Sequence, residues 1–168
     1  MSFYSGSFGS HFASVNRSYY VYVNASGGTD HGGSFADGDL RANLVSGLNP
    51  GASITDVAIS IYSNFAGNVR IKVYDRAGGV PTTLLGQTNS TALSSNGFNE
   101  IPLTSPATVP SGGEVYLAIE FDSNTPHPEG ITGITNAKRV THTYGTGPDP
   151  FGASIGNANL FYWRIKLQ

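Results

Sequence analysis

Strict alternation of apolar and polar residues, recurring along the chain, most narrows what this sequence can fold into. Val115, Leu117, Ile119 and Phe121 point one way while Tyr116, Ala118, Glu120 and Asp122 point the other, because successive side chains of an extended strand leave on opposite faces. Val57, Ile59 and Ile61 alternate likewise with Asp56, Ala58, Ser60 and Tyr62. Val69, Ile71 and Val73 alternate with Arg70, Lys72 and Tyr74, and Phe161, Trp163, Ile165 and Leu167 with Tyr162, Arg164 and Lys166. Each run predicts a half-buried strand whose charged members, including Arg70, Lys72, Glu120 and Asp122, face water. Weaker strands are expected at 18–24, 40–48, 84–93, 98–103 and 138–144, and no segment has a convincing helical period. Turns rich in Gly, Pro, Asn and Ser, such as 63–67, 75–81, 94–97 and 104–113, separate these runs. Strands at this spacing make a sandwich or a barrel. The expected fold is all-β: a two-sheet antiparallel β-sandwich of jelly-roll type, with eight to nine strands and an extended N-terminal arm. No repeat suggests a propeller or solenoid.

The 168 residues suit one domain. Residues 1–18 form the arm and 19–168 the sandwich, with long loops at 24–39 and 145–157. A chain of this size can bury about 70% of its unfolded surface. It needs to, because the absence of Cys excludes disulfides, thiolate metal sites and a cysteine nucleophile. Charged residues are 12% of the chain, whereas Gly, Ser, Thr and Asn are 68 of 168. A formal charge of −2 and a pI near 6.0 give no electrostatic footprint for nucleic acid. No apolar run is long enough for a transmembrane helix, and MSFYSGSFGSHF lacks the basic start and apolar stretch of a signal peptide. The expectation is therefore a protein neither anchored in a membrane nor exported by that route. Its Asn-rich, Lys/Glu-poor composition reads as mesophilic.

Several groups are candidates for function. Phe3, Tyr4, Phe8 and Phe12 punctuate the Gly/Ser-rich arm. It reads either as a frayed terminus or as assembly hardware whose aromatics insert into a neighbouring subunit, since solvated disorder normally lacks aromatics. In the Gly-rich loop, Asp30, Asp37 and Asp39 are candidate oxygen ligands for a structural Ca²⁺ ion, although Asp and Gly are also ordinary turn formers. No other cofactor is expected. The four His residues (His11, His31, His127, His142) sit in unrelated contexts, no GxSxG elbow occurs, and Glu114, Glu120, Asp122 and Glu129 give no sign of a carboxylate pair facing across a cleft. The chain reads as non-enzymatic. Sugar binding needs exposed aromatic faces beside hydrogen-bonding side chains. Tyr20, Tyr22, Tyr62, Tyr74 and Tyr144 fall on nominally outward faces, as do Tyr116 and Tyr162. Phe151, isolated in GTGPDPFGASIGN, is expected to reach outside the fold. The first five tyrosines and Phe151 are thus candidate ligand or partner contacts, with packing against crossing loops, the arm or another subunit as the alternative. Three Asn-x-Ser/Thr sequons, at Asn16, Asn24 and Asn89, are the number chance allows in such a composition.

Part of the chain carries a likeness. Ile54, Val57, Ile59 and Tyr62, then Val69-Arg70-Ile71-Lys72-Val73-Tyr74-Asp75, Gly78-Gly79-Val80-Pro81-Thr82-Thr83-Leu84-Leu85-Gly86, and Gly112-Gly113-Glu114-Val115-Tyr116-Leu117-Ala118-Ile119 together resemble a recurrent β-sandwich module. It belongs to the lectin-like or jelly-roll class and occurs in bacterial surface proteins and phage virion proteins. Such modules serve as carbohydrate binders, adhesion domains or particle components, so the resemblance implies architecture rather than a ligand.

A surface suited to life outside cells, on a chain starting at Met without an export signal, is reconciled by a virion protein. The leading expectation is a non-enzymatic phage virion structural protein, a capsid decoration (cement) or fibre component exposed on the virion surface. It would self-associate in a closed ring, a trimer, through arm exchange and strand addition. Its partners would be the major capsid or another virion protein, with a host surface glycan as a further ligand, and neither nucleic acid nor membrane. The alternative is a carbohydrate-binding, lectin-like module of a secreted or cell-surface protein, located extracellularly.

Overall fold

The computed structural model describes residues 17–23, 29–30, 39–131, 137–157 and 159–168, and within them every strongly alternating segment is a strand. In chain order these are β1 Tyr19–Val23, β2 Thr29–Asp30, β3 Asp39–Val45, β4 Ser53–Ser63, β5 Asn68–Ala77, β6 Val80–Gln87 and β7 Thr91–Ala92. They continue with β8 Gly97–Thr108, β9 Val115–Phe121, β10 His127–Ile131, β11 Ala137–Thr141, β12 Ile155–Asn157, β13 Leu160–Phe161 and β14 Trp163–Leu167. β2, β7, β12 and β13 are only two or three residues long, and β10 (HPEGI) has no apolar alternation, so periodicity could reveal none of these five. The other nine correspond to the expected set, although β5 and β6 run into the expected turn 75–81, leaving only Gly78 and Gly79 between them, and β8 continues to Thr108 through the first half of the expected break at 104–113. No helix forms among the described residues, and none there is long and apolar enough to cross a membrane.

The strands form two antiparallel sheets. The first runs β1-β14-β4-β10-β13, with β8 on the remaining edge of β4 and β2 beside β10; the second runs β12-β11-β3-β9-β5-β6, with β7 also on β5. Between them, Val57, Ile59, Ile61, Ile101, Trp163, Ile165 and Leu167 of the first sheet meet Val69, Ile71, Val73, Val115, Leu117, Ile119 and Phe121 of the second. Each aliphatic side chain fully buried here contributes about 1.5–3 kcal/mol over exposure. One polar group is fixed within this apolar seam. Buried Asn43 accepts hydrogen bonds at Oδ1 from the Phe161 amide and from Trp163 Nε1, both at 3.0 Å, and its Nδ2 donates to the Asn159 carbonyl at 2.9 Å.

A second apolar cluster lies on the outer face of the second sheet. There Leu40, Ala42, Tyr74, Tyr116 and Ala118 are covered by Phe151. Residues 142–152 form a strap across this face: the Phe151 amide donates to the Thr82 carbonyl (3.0 Å), Tyr74 Oη to the Pro148 carbonyl (2.8 Å), and the Leu84 amide to Asp149 Oδ1 (3.1 Å). The strap corrects several expectations. β9 is buried on both faces, so Glu120 and Lys72 are interior rather than solvated. Tyr74 and Phe151 are each 0% exposed and pack edge to face with ring centroids 5.2 Å apart, so neither reaches outside the fold. Tyr116, also expected to point outward, is buried and donates to the Gly79 carbonyl at 2.8 Å. Gly/Pro composition marks 145–157 as a connection but does not reveal that this connection folds back onto a sheet. The stretch expected as one long loop, 24–39, contributes β2 and the first residue of β3.

Candidate functional site

Among the described residues, the outer face of the first sheet has no such cover. Across its strands, Tyr22 of β1 lies opposite Arg164 of β14, Arg164 opposite Ala58 of β4, and Ala58 opposite Glu100 of β8; the neighbouring row runs Tyr20, Lys166, Asp56. Long side chains of both rows close over the small Ala58, which is buried. The Arg164 guanidinium carbon sits 5.0 Å from the Tyr20 ring centroid and 5.2 Å from that of Phe98, within the range of cation–π attraction. Its Nη2 donates to Glu100 Oε2 at 2.5 Å, while Tyr20 Oη donates to Glu100 Oε1 at 3.4 Å. Tyr22 and Phe98 meet at 6.0 Å with their planes 78° apart. Lys166 pairs with Asp56 at 3.4 Å, and further along β4, on the other side of Ala58, Ser60 Oγ donates to Glu129 Oε2 at 2.6 Å. The rings remain accessible: Tyr20, Tyr22 and Tyr62 are 44%, 53% and 50% exposed. Burial works against the charge of Arg164, but its interactions with Tyr22 and Glu100 outweigh it and the net shift of its pKa is upward. Aromatic faces around a fixed donor–acceptor pair can take the apolar side of a polyhydroxylated ring and hydrogen-bond its hydroxyls.

Beneath the strap lies a different constellation. Lys72 Nζ and Glu120 Oε1 are 2.8 Å apart, His142 Nε2 is 2.9 Å from Glu120 Oε2, and the Gly145 amide donates to the same oxygen at 3.3 Å. Arg70 Nη1 donates to the Gly145 carbonyl at 2.8 Å, and Tyr144 shares a 2.6 Å hydrogen bond with Ser90. Burial lowers the pKa values of Lys72 and His142 against the pull of Glu120, and burial raises that of Tyr74. Lysine, carboxylate and imidazole together could move a proton. Here, however, Gly147 packs so closely on Lys72 that a Cβ there would lie 1.3 Å from Nζ, which leaves no room for a substrate. The cluster fastens the strap.

The residues expected to carry function therefore separate. Tyr20 and Tyr22 converge on one face, with Tyr62 further along it. Tyr74 and Phe151 belong to the outer core, and half-buried Tyr144 is tied to Ser90. Asp39 is buried, with its carboxylate 3.0 Å from Arg41 and 3.6 Å from Arg139, so two cations already occupy this proposed Ca²⁺ ligand. Asp30 lies in β2 opposite Glu129. Asp37, the arm aromatics Phe3, Tyr4, Phe8 and Phe12, and His11 and His31 lie outside the described residues. Among the described residues no three His, Cys, Asp or Glu side chains group as a metal site. Phe98, Glu100 and Arg164 do not stand out in the sequence as functional residues. The available signals were Arg164 on the polar side of its alternation and Phe98 directly after the Asn96-Gly97 turn.

No family model matches the chain, and no curated protein does. Among solved structures, the chain is similar to that of the cysteine protease and lectin-like domains of Cwp84, a surface-layer-associated protein of Clostridium difficile. That match has a TM-score of 0.56 at 11% identity and covers 78% of this chain. It is also similar to the clostridial cysteine protease Cwp84 after propeptide cleavage, with a TM-score of 0.58 at 10% identity over 89% of this chain. The chain spans only 32% and 40% of those two chains. At such identities the likeness is one of fold: this is a β-sandwich of a kind also found in a bacterial surface protein.

Proposed function

We propose that the chain is a non-enzymatic, lectin-like carbohydrate-binding module that works outside the cell as part of a secreted or surface protein. The sugar would sit on the outer face of the first sheet, against Tyr20, Tyr22, Phe98, Arg164 and Glu100. The observation that carries this reading is the set of half-exposed rings around a clamped Arg164–Glu100 pair, on a sheet face that none of the described residues straps over. Ring faces take up the C–H side of a pyranose, and the fixed guanidinium and carboxylate give and accept hydrogen bonds with its hydroxyls. The fold likeness to a surface protein with a lectin-like domain supports this reading over a phage virion component, for which the comparisons offer nothing.

The test is a glycan array probed with the labelled 168-residue chain, its Tyr22→Ala variant and its Arg164→Ala variant. Binding to a set of glycans, weakened in both variants while their melting stays cooperative, is the expected result. An array silent to the unmodified chain, or signals indifferent to both substitutions, would overturn the proposal.

A further inference from the structure

We infer that this face selects neutral glycan chains in solution, and rejects both polyanionic glycans and crystalline polysaccharide surfaces. The inference rests on the carbohydrate-binding reading and narrows its ligand class.

Charge provides the first argument. Among the described residues both cations of the face are already matched, Arg164 by Glu100 at 2.5 Å and Lys166 by Asp56 at 3.4 Å, and Glu129, which accepts a hydrogen bond from the neutral Ser60, adds a third carboxylate. A uronate, sialate or sulfate would have to displace Glu100 from Arg164 and then approach carboxylates that repel it. A neutral sugar needs no such exchange. Adjacent hydroxyls each donate and accept, and so complement a guanidinium and a carboxylate that stay in contact with each other.

Ring geometry provides the second. Stacking on the flat face of a polysaccharide crystal requires aromatic planes that lie nearly parallel, whereas Tyr22 and Phe98 stand 78° apart. One ring can carry a sugar on its face only while the other stands beside it as a wall. That arrangement suits a single chain or a chain end.

The deciding experiment uses an array carrying neutral glycans beside sialylated, sulfated and uronic-acid glycans, read at ~150 mM salt, where exposed charges more than about 8 Å apart are largely screened. Sedimentation with microcrystalline cellulose and with chitin powder accompanies it. The expected result is binding to neutral glycans only, weakened about fivefold to tenfold by Tyr22→Ala, with no sedimentation on either solid. A Glu100→Gln variant, which frees Arg164, should gain salt-sensitive binding to acidic glycans. Equal or stronger binding of the unmodified chain to acidic glycans, sedimentation with cellulose or chitin, or a Glu100→Gln variant that gains nothing, would overturn this inference and leave the carbohydrate reading standing. Silence on every glycan and both solids would sink that reading, and this inference with it.

Discussion

Lys72 Nζ lies 2.8 Å from Glu120 Oε1, with both side chains only 1% exposed, so an ion pair sits where alternation along β5 and β9 places solvent. A charge in such a position is tolerable only while its partner remains. Glu120→Ala should destabilise the fold by about 3–5 kcal/mol by leaving the lysine unmatched, whereas the double change Lys72→Met with Glu120→Leu should cost far less. Urea unfolding of the three proteins checks this; a double variant as unstable as the single one would refute it.

His142 shares Glu120, and burial holds its pKa below the ordinary 6.5. Between the folded value and 6.5 the unfolded chain binds a proton that the folded chain does not. Stability therefore falls as the pH drops below about 6.5, and recovers above it. Lys72, also lowered from its ordinary 10.5 by burial, acts in the same sense at the alkaline end. Melting temperatures measured between about pH 7.5 and 5.5 should decline on acidification, and His142→Gln should flatten that slope. Parallel slopes in the two proteins would show that His142 does not set it.

The strap depends on Phe151 and on the missing side chain of Gly147. Phe151→Ala should cost about 3–5 kcal/mol. Gly147→Ala puts a methyl group onto Lys72 and should pry the strap away without touching the core between the sheets. Limited proteolysis should then cut both variants within 142–152 well before the unmodified chain. Cutting elsewhere first would mean that the strap holds by other contacts.

Asn43 satisfies two buried donors at once. Asn43→Leu keeps the volume and strands both, at about 1–3 kcal/mol for each. The chain's single Trp is one of those donors, so Trp163 fluorescence reports the change in the folded state and the shift of the unfolding midpoint together. An unchanged midpoint would disprove the role given to this side chain.

What could be read from the amino acids depended on range. The faces of β4, β9 and β14 follow from neighbours two apart, and the inward set Val57, Ile59, Trp163 and Ile165 sits where alternation puts it; so do the exposed Tyr20, Tyr22 and Tyr62. Arg164, Glu100 and Tyr20 come together from 64 and 80 positions apart, which requires the strand order β1-β14-β4-β8, and no local pattern encodes that order. Alternation also states which residues share a face, not whether a later segment will cover it. For that reason alternation places Tyr74, Lys72 and Glu120 in water, and Phe151 reads as free because its surroundings are Gly and Pro.

The strap makes the molecule one-sided. Under the carbohydrate reading, the front would meet a sugar-coated object and the back would be left toward the medium, a panel on which Tyr74, Tyr116 and Phe151 already pack their rings within the chain itself.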